Sequence, residues 1–141
     1  MTAHTTLNPH AALIYIMVVA SAADASMRDA ELHLIGNLVR SLPAFRGFQP
    51  DKIIPVAREC AAILQEREGL EAVIGLVKEA LPQQLRETAY ALALEVVLAE
   101  APVYPEENRV LQLLRTRLEI DRLTAAALEK AAITRHASIS D

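Results

Sequence analysis

The chain has 141 residues, 52% of them hydrophobic but only 4% aromatic, with 4 Gly, 1 Cys and a net charge of −4. This length suits one domain, with a core built from Ala, Leu, Ile and Val, and the scarcity of glycine favours helix over strand. The acidic balance, without any Lys/Arg cluster, excludes an ordinary nucleic-acid binder; the lone Cys60 excludes an internal disulfide and fits a reducing compartment.

Residues 1–8 read as an N-terminal tail. Asn8-Pro9 is a helix start, because Asn caps and Pro is preorganised at the first helical position. The first helix is expected from Pro9 to about Ala22, apolar nearly all round and therefore buried on several sides. Its apolar run resembles the core of a signal peptide. However, the preceding "MTAHTTLNPH" has no Lys or Arg, and the run is too short to span a bilayer. The expectation is a buried helix of a cytoplasmic protein with no transmembrane segment.

Ser26 reads as the next N-cap, with Asp29 three residues on, and opens a second helix to Ser41 carrying one stripe of Leu32, Ile35, Leu38 and Val39. Pro43, Gly47 and Pro50 mark a loop. A third helix is expected over about Asp51–Glu66, with Pro55 restricting its first turn. Gly69 separates it from a fourth ending near Leu81. A fifth runs from Pro82 to about Ala99. Pro105 starts a sixth, with Glu106 and Glu107 in its first turn, where the positive helix end favours acids. Asp121 caps a seventh, Arg122 to about Thr134. Residues 136–141 read as a C-terminal tail, leaving 9–135 as one helical domain.

One pattern occurs twice. An apolar helix runs into Ala23-Asp24-Ala25-Ser26-Met27-Arg28-Asp29-Ala30-Glu31, and later into Ala99-Glu100-Ala101-Pro102-Val103-Tyr104-Pro105-Glu106-Glu107. Asp24 aligns with Glu100 and Glu31 with Glu107. The expected architecture is an all-α bundle of about seven helices, containing a duplicated helix–acidic turn–helix unit, with helices one and five as the central pair.

The acidic turns admit two readings. Asp24, Asp29 and Glu31, together with Glu100, Glu106 and Glu107, could supply oxygens to a divalent cation such as Ca²⁺, which takes six to eight of them. Alternatively, the same residues could cap helices and complement their positive ends, with Glu31 facing solvent or pairing with Arg28. Glu95, one turn before Glu100, lies on the exposed stripe or pairs with an arginine, or else is a buried acid that joins a shared acidic cluster. Asp29 and His33 share a helix face, which is more often a surface contact than a ligand pair. Cys60 falls at core spacing. No Gly-rich phosphate loop, nucleophile elbow or Glu-x-x-His pair occurs, so an enzyme is not expected.

The two acidic segments, and the "VLQLLRTRLEI" that follows the second, resemble the tellurite-resistance TerB family and its wider TerB-like relatives. That family carries, twice, a helix running into Ala-Asp-Gly with a Glu seven residues after the Asp. The resemblance covers about Ala11 to Ala132. Both motif glycines are Ala here, at 25 and 101; the second Asp is Glu100, and the family's helix-ending glycine is Glu119. The resemblance implies an all-helical cytoplasmic stress-response module that works through protein partners, including membrane-associated complexes that would hold it at the inner membrane. It also implies divalent-cation binding through the acidic residues. The alternative is a purely structural or scaffolding helical domain without a ligand.

Overall fold

The computed structural model describes residues 7–21, 28–99 and 105–139, with the main chain alone for 105 and 106. The described residues form an all-α single domain with seven α-helices and no strand. These are α1 (Pro9–Ala20), α2 (Asp29–Ser41), α3 (Ile53–Leu64), α4 (Gly69–Ala80), α5 (Gln83–Ala99), α6 (Pro105–Arg117) and α7 (Arg122–Arg135). Short 3₁₀ turns, Pro43–Phe45 and Pro50–Lys52, fill the connection before α3. The expected third helix thus begins as a 3₁₀ turn and becomes α-helical only at Ile53.

α1 is the axis of the bundle. Every residue from Ala11 to Ala20 is buried, as a helix without a polar face requires. It packs most extensively on α5 and also touches α3, α4 and α6. α5 contributes Ala89, Tyr90, Leu92, Ala93, Leu94, Val96 and Val97 to the same core. Helices one and five are therefore the central pair, as their composition predicts.

Local chemistry sets several helix ends. Asn8 Oδ1 accepts the Ala11 amide at 2.8 Å, and Asp121 Oδ2 accepts the Thr124 amide at 3.2 Å. These side chains satisfy amides that a helix start leaves open. α6 ends in a Schellman turn: the Ile120 amide bonds the Arg115 carbonyl at 3.0 Å, and the Glu119 amide bonds the Thr116 carbonyl at 3.2 Å. Glu119 has φ +58°, the left-handed conformation in which such turns usually place glycine. Its side chain meets Lys78 Nζ at 2.5 Å, and that ammonium holds the carboxyl below its ordinary pKa range.

α2 departs from its predicted start. It begins at Asp29 with Arg28 as N-cap, two residues later than Met27. The Ser26 cap expected from the sequence lies outside the described residues. Asp29 does not close this helix start; Glu31 does, by reaching back to the amide of Arg28.

Candidate functional site

The two acidic segments begin where α1 and α5 end. α1 closes at Ser21, whose hydroxyl donates to the Val18 carbonyl at 2.7 Å. Asp24 and Glu100 lie outside the described residues, as does the side chain of Glu106. Asp29 is exposed at the first turn of α2. Glu31 is not solvent-facing: it is 6% exposed, and Glu107 is 5% exposed. Each is the third residue of its helix, α2 or α6. Among the described residues these two are the buried carboxylates.

Glu31 Oε1 accepts the Arg28 amide at 2.8 Å, with Arg28 Nε 3.7 Å away. This is half of a capping box, since Arg28 has no acceptor to return the bond. A carboxylate at that position also faces the positive end of the helix dipole. Among the described residues no group of three His, Cys, Asp or Glu side chains is gathered closely enough to hold a metal ion.

Glu95 belongs elsewhere. Its Oε1 lies 3.4 Å from Arg135 Nη1 and 3.4 Å from His136 Nε2, so it ties α5 to the end of α7. This is the arginine-paired reading of Glu95. Asp29 and His33 both stand exposed on α2. Cys60 is buried, with its thiol 3.7 Å from the Tyr15 carbonyl.

A second polar group joins α5, α6 and α7. The Tyr90 hydroxyl donates to Glu129 Oε2 at 2.6 Å. Arg115 Nη1 donates to that same oxygen at 2.5 Å and to the phenol oxygen at 3.3 Å. Burial, then the bond to Glu129, pushes the Tyr90 pKa above its ordinary range. The bond to Glu129 likewise raises that of Arg115. Tyr90 stands out in the sequence as a hydroxyl inside an aliphatic helix, and a buried tyrosine needs a partner. Nothing local identifies Arg115 and Glu129 as the partners, because they are 25 and 39 residues away.

α7 rests on α5 mainly through alanines; Ala125 and Ala132 are its buried residues. Small side chains leave space on both flanks. On one side a groove of about 430 Å³ runs between α2, α5 and α7, lined by Leu38, Leu42, Leu92 and Leu128, with Glu95 and Arg135 at its edge. On the other side lies a cavity of about 410 Å³ walled by Leu94, Val97, Leu111 and Ile133, with the Tyr90–Arg115–Glu129 group at one end.

The chain matches no family model, no curated protein and no solved structure. No helix among the described residues is long and apolar enough to cross a membrane.

Proposed function

We propose that the chain is a TerB-like module of a chemical-stress response, acting by protein–protein interaction rather than by catalysis, with its acidic turns taking up a divalent cation. One observation carries this reading. Glu31 and Glu107, which the two sequence segments align, both sit at the third position of a helix and are both buried. Keeping a carboxylate out of water is costly unless charge or hydrogen bonds compensate. Two such carboxylates at matching positions, each beside a segment carrying further acids, favour a shared role. Glu31 commits Oε1 to the Arg28 amide. The groove between α2, α5 and α7 is the surface best suited to a protein partner.

Thermal unfolding in Ca²⁺, Mg²⁺, Mn²⁺ and Zn²⁺ tests the cation, against a chelator and against monovalent salt at matched ionic strength. A cation that binds only the folded chain at a hundred times its Kd adds about 2.7 kcal/mol. In a domain of this size that raises Tm by several degrees. Asp24→Asn combined with Glu31→Gln keeps the shape and should abolish the response. A wild-type chain that answers divalent ions no more than monovalent salt defeats the cation reading. Tellurite sensitivity of cells lacking the chain tests the stress role.

The Arg28–Glu31 bond favours a second reading, a scaffolding domain whose acids only cap helices. In that case Glu31→Ala costs about 0.5–2 kcal/mol, the ordinary value of a cap, and no divalent ion changes Tm beyond the salt control.

A further inference from the structure

We propose that the cavity between α5, α6 and α7 binds a medium-chain aliphatic carboxylate, its tail against Leu94, Val97, Leu111 and Ile133 and its head on the guanidinium of Arg115. This site is separate from the acidic turns and does not depend on their role.

The first argument is shape and lining. A volume of about 410 Å³ falls within the roughly 300–1,000 Å³ of small-molecule sites, which combine apolar walls with a few convergent polar groups. Here the charged groups gather at one end, with the neutral Gln112 and Asn108 spaced along the α6 wall. Tyr90, Arg115 and Glu129 meet there, while Leu98 and Asn108 lie at the other, because α5 and α6 run antiparallel. From Arg115 to Asn108 is two helical turns, roughly 10 Å. A medium-length acyl chain matches that distance.

The second argument is Ile133. It lines the cavity and is still 58% exposed, one of the few large apolar side chains so placed. An alkyl chain in the cavity would cover it. Among the described residues nothing covers it fully, because α7 lies on α5 mainly through alanines.

The third argument is the balance of donors and acceptors. A guanidinium offers five N–H groups. Arg115 uses Nη1 alone, toward Tyr90 and Glu129. Among the described residues, Nε and both hydrogens of Nη2 have no protein acceptor, and the guanidinium is about one-third exposed. Glu129 takes both of its bonds on Oε2, and only its Oε1 remains as an acceptor. The open valences are three donors to one acceptor oxygen. A carboxylate head satisfies two of the donors, because the Nε–Nη2 edge of arginine presents two parallel N–H groups at carboxylate spacing, and Glu129 Oε1 is left to water. An alkylammonium head would meet the wrong excess. An alcohol has one uncharged oxygen, which cannot span both parallel N–H groups as the two oxygens of a carboxylate do.

Calorimetric titration of the full chain with decanoate below its micellar concentration tests this, with decanol and decyltrimethylammonium as matched probes. Saturable one-to-one binding of decanoate is expected, at least about tenfold tighter than either control, since hydrogen bonds to charged groups carry that much discrimination. Arg115→Gln should remove the preference over decanol. Because Arg115 also braces Tyr90 and Glu129, Ile133→Glu provides a second variant at an exposed position. It places a negative charge at the mouth and should weaken decanoate at least about tenfold while leaving Tm unchanged. Three results would each overturn the proposal. These are no saturable binding of decanoate, binding of decanol or the cation as tight as decanoate, and a folded Ile133→Glu chain that binds decanoate like wild type.

Discussion

The Tyr90 hydroxyl lies 2.6 Å from Glu129 Oε2, joining the middle of α5 to α7. α7 has few large apolar contacts, and this bond, the Arg115–Glu129 pair and the Glu95–Arg135 contact are polar attachments that hold it. Removing the hydroxyl leaves Glu129 still paired with Arg115. Tyr90→Phe should therefore cost only about 0.5–1.5 kcal/mol, the net value of one hydrogen bond. Glu129→Leu is different, because it strands the fully buried Tyr90 donor and removes the Arg115 partner together. It should cost about 1–3 kcal/mol. Denaturant titration of both variants gives the order. If Tyr90→Phe were the more damaging, the hydroxyl's partner would not be Glu129, and this bond would not fasten α7.

The turn between α3 and α4 is the tightest approach of main chain to main chain at a glycine. A Cβ added at Gly69 would stand 2.1 Å from the Ile63 carbonyl oxygen and 2.9 Å from Leu64 Cα. Neither atom can rotate away, so Gly69→Ala must open the turn. The expected loss is about 3 kcal/mol or more, at the upper end of overpacking costs. Its neighbour behaves oppositely. Glu68 has φ +57° with an exposed side chain. A left-handed L-residue costs about 1–2 kcal/mol, and glycine returns part of that as unfolded-chain entropy. Glu68→Gly should therefore stabilise by about 0.5–1 kcal/mol. A shift of the denaturation midpoint in the same direction for both variants would contradict this geometry.

Core placement follows from composition and gives a third test. Val18 on α1 is 0% exposed and Val97 on α5 is 1% exposed, whereas Leu123 on α7 is 79% exposed. An unpaired carboxylate at either valine should cost more than about 4 kcal/mol and unfold a domain of ordinary marginal stability. Leu123→Asp should stay within about 0.5 kcal/mol of wild type. Circular dichroism at 25 °C distinguishes the three. Folded Val18→Asp or Val97→Asp chains would remove α1 and α5 from the centre.

What could be read in advance divides along the range of the interactions. Asn8, Pro105 and Asp121 announce helix starts because capping acts over three or four residues. α1 announces its burial because no polar stripe interrupts it. The left-handed turn at Glu119 is not announced, because it is an L-residue where glycine is the usual signal, with the Lys78 contact beside it. Gly69 reads as a separator between helices, but its closeness to Ile63 depends on how two helices meet. α2 starts later than the sequence predicts, because Ser26 and Asp29 have the local signature of a cap while the bond closing this end comes from Glu31. Tyr90, Arg115 and Glu129 lie on three helices, and no periodicity within one helix relates them. Burial of Glu31 and Glu107 is likewise tertiary, since each stands in a first turn where acids are usually solvated.

The last prediction concerns alkaline pH. Burial is the first cause raising the Tyr15 pKa from 10.0 to about 12, with the nearby Glu59 carboxylate next, and burial raises the Cys60 thiol from 9.0 to about 12. Both groups are neutral when protonated. Between pH 9 and 12 the folded chain keeps protons that the unfolded chain has released, so each rise in pH favours unfolding. Their contribution to stability is complete below pH 9 and is lost progressively toward pH 12. The loss begins with Cys60, whose unfolded pKa is lower, and Tyr15 adds to it from pH 10. Tyr90 adds in the same sense, since its pKa is also raised. Denaturant midpoints measured from pH 7 to 11 should fall along this course. Cys60→Ala and Tyr15→Phe lower stability at pH 7 by deleting atoms from the core, so the informative quantity is the slope. Cys60→Ala should flatten the decline between pH 9 and 10, and Tyr15→Phe should flatten it only above pH 10. Variants that track the wild-type slope at every pH would show that neither group is held neutral by the fold.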